Sequence, residues 1–337
     1  MKAICSKEIG MQNVSLEVIE RPAIQPDHVL VKVSTGAINH GDVHWLKGEI
    51  PRGLYQESTL GVAGASSGGV VVEIGDNVPQ NYQGCKVAYY RSLNPSEHKV
   101  GCWSEFALMH YLDCIILPNE VDVVDYCGSV VNIMTAYAFY KTADLSPQKG
   151  VIATAGESLT GKALLGVAQE KNVPIISIVR NEAEKERLEP FGAENILIQS
   201  DDNFDHQIET LSQELNATAV FDGVGGSILT HIIPLLPPRS TTYSYGFLGT
   251  YSGDDVVNFQ TLTIFDKTIR LDTFGVMKNE TTLNQDKLKP AVEDLKGFVH
   301  KPHFRVETGQ VFAPEAFMEA IEFTANPKSK GKAVIRF

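Results

Sequence analysis

Gly156, Ser158 and Gly161, in the stretch ATAGESLTG (153–161), stand at the offsets with which a strand-to-helix turn cradles the pyrophosphate of a dinucleotide. In such a loop the first glycine permits the tight turn. The second lets the backbone approach the phosphates, and the third lets helix and strand pack closely. Here the second is Ser158, whose backbone N–H is expected to be open and whose hydroxyl adds a donor, with Leu159 and Thr160 completing the loop. A helix beginning near Gly161 would turn its positive end toward the anion. Taken alone, the stretch reads equally as a plain turn between a strand and a helix.

Its context points to phosphate. The next apolar run, PIISIVR (174–180), ends in Arg180 followed by Asn181, where an Asp or Glu would read the ribose of NAD. An arginine there clamps a 2′-phosphate through charge-assisted bonds, so NADPH is the expected coenzyme, with Lys185 as a second cation. At about 1.5–3 kcal/mol per charged hydrogen bond, one such contact favours NADPH over NADH by about 10- to 150-fold. Two more glycine-rich turns close later strands. They are FDGVGG (221–226), with Val224 and Gly225, and YSYGFLG (243–249), with Tyr245, Gly246, Phe247 and Leu248.

These turns need a common edge, and the chain supplies the elements for one. Strand-like runs at 150–155, 174–180, 194–199, 218–225, 241–246 and 268–275 alternate, over the first four, with helical stretches such as EAEKERLEPFGA and FDHQIETLSQEL. That alternation predicts a doubly wound parallel sheet of six strands, whose ligands bind at the carboxyl edge. Before residue 125 the texture is different. Short β runs at 28–38, 68–75 and 85–90, separated by Gly/Pro/Asn turns, predict a small antiparallel barrel-like body. A helix around 282–299, another opening at Pro314 and a last strand, GKAVIRF, follow, and that strand is expected to return to the first body. The α/β chain then reads as a β-rich domain of 1–122 and 276–337 into which a nucleotide domain, 123–275, is inserted.

Composition sets outer limits. With 337 residues, 43% hydrophobic and 21% charged, the chain has material for two domains, and no apolar run approaches the length of a membrane span. A net charge of -12 without clustered Lys/Arg argues against nucleic acid. Five scattered cysteines, an odd number with no CxxC pair, are expected to be free thiols. The opening residues have neither signal-peptide nor transit-peptide character, so a cytoplasmic address is expected.

The segments VLVKVSTGAINHGD, GASSGGVVVEIGDNV, GCWSEFALM and GKAVIRF together resemble the medium-chain dehydrogenase/reductase superfamily over essentially the whole chain. The resemblance implies a GroES-like β-rich catalytic domain plus a six-stranded Rossmann domain, a small-molecule substrate and a homodimer. Zinc-dependent members carry a Cys where this chain has Asn39, a His-Glu pair at Ala65-Ser66 and a Cys near Val131, besides a four-cysteine structural lobe. None of these stands here, so no metal is expected; a catalytic zinc needs three protein ligands. His40 and His44, two histidines without a third ligand, are expected on the site wall or the surface.

Within the zinc-free branch, VNIMTAY (131–137), SIVRN (177–181) and TIFDKTIRL (263–271) resemble segments of the 2-enoyl thioester reductases. That likeness puts Asn132 and Thr135 toward the nicotinamide, Arg180 on the 2′-phosphate, Tyr245 to Leu248 on the coenzyme's far side, Phe274, Gly275 and Val276 along the ring, and Lys332 on the phosphate side. The group's acid tyrosine lies in a Gly-Asn-Tyr triplet, where this chain reads Gly48-Glu49-Ile50, while Tyr55 in GLYQES resembles the Gly-Leu-Tyr of the quinone reductases. The expected reaction is hydride transfer from NADPH to a quinone or an α,β-unsaturated carbonyl. Asn39 and Thr135 would orient the ring or the substrate oxygen, and Tyr55 or water would supply the proton. A 2-enoyl thioester reductase and an NADPH-binding protein with little turnover are the alternatives.

Overall fold

Short blocks of β-branched and aliphatic residues closed by turns become strands because their side chains fill a pleated, covered surface. The computed structural model describes residues 1–49, 58–94, 96–326 and 328–337. In chain order its strands are β1 (Lys2–Ser6), β2 (Val14–Val18), β3 (His28–Ala37), β4 (Ser66–Ile74), β5 (Lys86–Tyr90), β6 (Phe106–His110) and β7 (Cys114–Ile116). Then come β8 (Val151–Ala153), β9 (Ile175–Val179), β10 (Asn195–Ile198), β11 (Ala219–Asp222), β12 (Thr241–Ser244), β13 (Arg270–Thr273), β14 (Thr308–Phe312) and β15 (Lys332–Arg336). The helices are α1 (His40–Lys47), α2 (Val130–Thr142), α3 (Leu159–Glu170), α4 (Glu182–Leu188), α5 (Phe204–Glu214), α6 (Gly226–Ile232), α7 (Thr261–Lys267), α8 (Glu280–Leu283), α9 (Gln285–Lys296) and α10 (Phe317–Ala325). The chain divides into two compact units, 1–131 with 280–337, and 132–279.

In the first unit the order β14-β15-β3-β4-β5-β7 makes one sheet, β6 adds to β3, and β1 and β2 form a separate pair. The last strand does return: β15 runs antiparallel to β3, with Val334 opposite Ala37 and Arg336 opposite Thr35. The core gathers on Trp103, fully buried, whose indole N–H donates to Ala37 O at 3.1 Å. Glycine is required around it. A Cβ on Gly64, at φ +83°, would lie 2.3 Å from the indole, and one on Gly36 would lie 2.9 Å from it.

The same unit encloses an ion pair. Lys99 Nζ lies 2.7 Å from Asp113 Oδ2, both side chains wholly buried, and also donates to the carbonyls of Arg91 and Asn94. The N–H of Asn94 closes the set on Asp113 Oδ1 at 2.8 Å. Burial pushes the Asp113 carboxyl up to about 6 and the Lys99 ammonium down. His28 packs edge-on against His98 and His110, with centroids 5.8 and 5.5 Å away. Burial, with repulsion from the neighbouring cations, takes His28 and His110 down to about 4.

In the second unit the order is β10-β9-β8-β11-β12-β13, with every pairing parallel. This is the winding of dinucleotide-binding sheets, and its reversal between β8 and β11 opens a crevice at the carboxyl edge. Ile152, Ile176, Ile178 and Val220 are buried among Ile208, Ile228 and Leu229, as parallel strands covered on both faces require. β13 differs, since all four of its residues are exposed. Among the described residues no helix is long and apolar enough to cross a membrane.

Candidate functional site

The loop after β8 has the shape its glycines suggest. A Cβ on Gly156 would come within 2.8 Å of Ser177 Cβ on β9, and one on Gly161 within 2.5 Å of the carbonyls of Ala155 and Gly156. Ser158 is the N-cap of α3, its hydroxyl accepting the N–H of Gly161 at 3.1 Å. Its backbone N–H, expected to be open, instead donates to Ala155 O at 3.0 Å, because the turn closes on itself. Thr160 Oγ1 donates to Asn132 Oδ1 at 2.8 Å, and Thr135, buried, sits three residues along α2 from Asn132, on the same helical face.

Tyr245, at the end of β12, stacks on Phe221 with centroids 3.9 Å apart, and its hydroxyl hydrogen-bonds with those of Ser158 and Thr160. Burial holds the phenol well above its usual range. Phe139 continues the stack on the other side of Phe221 at 4.2 Å and meets Phe274 at 5.8 Å. Val276 is buried, whereas Phe247 and Leu248 are exposed. Gly246 is forced by close approach, since its Cβ would lie 2.8 Å from Gly223 O.

The turn after β11 is organised by Asp222, which the sequence reading passed over. Its Oδ1 accepts from Thr154 Oγ1 at 2.7 Å and from the N–H groups of Val224 and Gly225 at 3.1 Å. An Asp ahead of a glycine pair is the signal for such a turn. A Cβ on Gly225, at φ +73°, or on Gly275 would meet nothing within 4 Å, so both backbones border open space beyond the carboxyl ends of β11 and β13. A nucleotide lying along this edge fits those openings.

At the tip of β9 the side chain of Arg180 is 73% exposed, while Glu184, its partner, is 6% exposed. The Glu184 carboxylate accepts from Arg180 Nε at 2.6 Å and from the Arg180 backbone N–H at 2.8 Å, and it pairs with Nη2. Asn181 caps α4, its Oδ1 accepting the N–H of Glu184 at 3.1 Å. Lys185 turns to Glu182, 3.0 Å away.

Three residues of the first unit form a polar set. Asn39, the N-cap of α1, donates through Nδ2 to Ser66 Oγ at 2.9 Å, and its Oδ1 accepts from Lys332 Nζ. Lys332, expected beside phosphate, is thus engaged by Asn39. Burial lowers its ammonium to about 8 against the pull of Asp42. Asp42 receives the Asn39 N–H at 2.8 Å, and burial raises its carboxyl to about 6. His40 is exposed, and His44 Nδ1 pairs with Glu49 at 2.5 Å. Among the described residues no three His, Cys, Asp or Glu side chains cluster as a metal site. Tyr55 lies outside the described residues.

Comparison with known proteins places the fold among relatives. Residues 25–119 match the family model of the alcohol dehydrogenase GroES-like domain. The chain is 22% identical over 329 residues to the mitochondrial enoyl-[acyl-carrier-protein] reductase of Mus musculus, an alignment covering 96% of this chain and 84% of that protein. It is 23% identical over 317 residues to an NADPH quinone oxidoreductase of Kluyveromyces marxianus, covering 88% and 79%. Among solved structures, a quinone oxidoreductase of Pseudomonas syringae superposes with a TM-score of 0.74 at 18% identity, covering 100% of this chain and 99% of that one. The CurK enoyl reductase gives 0.75 at 17%, covering 99% and 98%. At such identities the two structures show a shared fold.

Proposed function

We propose that this chain, which belongs to the medium-chain dehydrogenase/reductase superfamily in its quinone-oxidoreductase and enoyl-reductase branch, is an NADPH-dependent, zinc-independent reductase of electron-poor acceptors. The observation that carries this reading is the exposed Arg180 guanidinium at the tip of β9, on the sheet edge that also holds the glycine-rich turns. When bound, NADPH supplies the hydride. A quinone or an α,β-unsaturated carbonyl takes hydride at carbon, and the oxyanion that forms needs only hydrogen-bond donors and a proton. We assign the nicotinamide side to Asn132 and Thr135, the acceptor oxygen to Asn39, and the proton to Tyr55 or water. An amide, a hydroxyl and an ammonium in the set Asn39, Ser66 and Lys332 support chemistry without zinc, because the ammonium opposes a second cation.

The test is NADPH consumption with a quinone, a simple enone and a short enoyl-CoA. Turnover of the quinone or enone supports the proposal. Turnover confined to the thioester selects a 2-enoyl thioester reductase, the reading favoured by the names of relatives such as the Mus musculus protein. Tight NADPH binding with no turnover leaves a coenzyme-binding protein.

We also propose a homodimer built on β13, the last strand of its sheet, beside which α7 exposes Leu262 (75%) and Phe265 (82%). An edge strand with open N–H and C=O groups is a template for pairing. Antiparallel pairing about Leu271 sets Arg270 opposite Asp272 of the partner subunit, so the strand is complementary to itself. Sedimentation of Leu271→Lys as a monomer, with the wild type a dimer, is the expected result.

A further inference from the structure

The tip of β9 lacks the acid of an NAD site only when the chain is read in order. In three dimensions a carboxylate is there: Glu184, four residues on, is folded back under Arg180 and is 6% exposed. Its carboxylate is engaged by three atoms of Arg180, the backbone N–H, Nε and Nη2. The Asn181 cap turns the chain immediately after the strand, and this brings residue 184 back beneath residue 180.

We infer that Glu184 is a specificity-determining partner of Arg180, and that the pair, not the arginine alone, sets the preference between NADPH and NADH. The inference rests on the coenzyme reading above. Two consequences follow from the contacts. Side-on engagement of Nε and Nη2 leaves the Nη1 end of the guanidinium for a 2′-phosphate, so the arginine is held ready. The paired anion also offsets much of the arginine's charge, which reduces its attraction for the phosphate and makes the preference smaller than a free arginine would give. With the arginine's charge removed, the Glu184 carboxylate is left at the strand tip without the cation it pairs with. There it accepts from a 2′-hydroxyl and repels a 2′-phosphate.

Dissociation constants of NADPH and NADH, measured by fluorescence titration of the full chain, test this with far-UV circular dichroism as the folding control. Glu184→Gln keeps a hydrogen-bond acceptor and removes the charge. It is expected to widen the preference for NADPH by about tenfold, the Coulomb scale of one charge near a phosphate in a water-rich site. Arg180→Gln, a change at an exposed side chain, is expected to invert the preference toward NADH, and the double variant to bind both coenzymes about equally. A narrowed preference in Glu184→Gln overturns the inference, as does NADPH remaining preferred in Arg180→Gln. A wild type that binds neither coenzyme sinks the coenzyme reading itself, which separates the two failures.

Discussion

Two ion pairs, one in each unit, use the same charges for different ends. Lys99 and Asp113 are wholly buried, and their remaining donors and acceptors go to backbone groups of the surrounding loop. Arg180 and Glu184 pair as closely, yet the acid is buried and the base faces water. Desolvation accounts for the contrast. A pair taken entirely out of water loses hydration that mutual attraction barely returns, so its presence fixes a loop more than it stabilises a fold. A half-exposed pair keeps its cation hydrated and available, and its net contribution to stability is small. The dry pair is architecture; the wet one is a reader held in place.

The sharpest way to break this comparison is to orphan the dry lysine. Asp113→Ala leaves Lys99 buried without its counter-ion and is expected to lower stability by about 3–5 kcal/mol, read as a shift of the urea midpoint.

Acid is the next lever. His28 and His110 titrate at about 4 in the folded chain. Their folded values lie below the unfolded one, so the stability they contribute is complete above about 6.5 and is lost as pH falls toward 4, by about 3 kcal/mol for each. Asp42, raised to about 6, acts in the opposite sense, favouring the fold as pH falls from 6 to 4. Between pH 6.5 and 4 the double variant His28→Gln/His110→Gln is expected to lose less stability than the wild type, measured by denaturation at each pH.

Replacing both members of the dry pair tests whether desolvation is the reason for its small net value. Lys99→Met/Asp113→Leu is expected to stay within about 1 kcal/mol of the wild type, far above Asp113→Ala alone. Smallest of all, Glu184→Gln is expected to change unfolding stability by less than about 1 kcal/mol while it moves coenzyme preference. A large stability loss there would place both pairs in one class.

Much of this architecture could be read from residue order. The alternation of apolar runs with helical stretches after residue 150 predicts the parallel sheet, because period and turn chemistry are local properties. The return of GKAVIRF to the first body was readable from the order of elements, while its pairing with β3 was not. Arg180 stood out because a strand tip has few positions. Glu184 did not, since an acid in the first turn of EAEKERL looks like one more solvated charge until the Asn181 cap folds it under the strand. The bond between Lys332 and Asn39 joins residues 293 apart, which no periodicity can foresee. Ser158 shows a further limit: the residue types of its loop do not reveal the turn bond to Ala155 that takes its N–H.

The burial of Trp103 has an optical consequence. The chain has two tryptophans, Trp45 and Trp103, and both belong to the first unit. Indole emission therefore follows the melting of that unit alone, while the inserted unit contributes only tyrosine and backbone signals. Superimposable fluorescence and circular-dichroism transitions would mean that the two units unfold as one cooperative body; separated transitions would assign each melting step to its unit without any label.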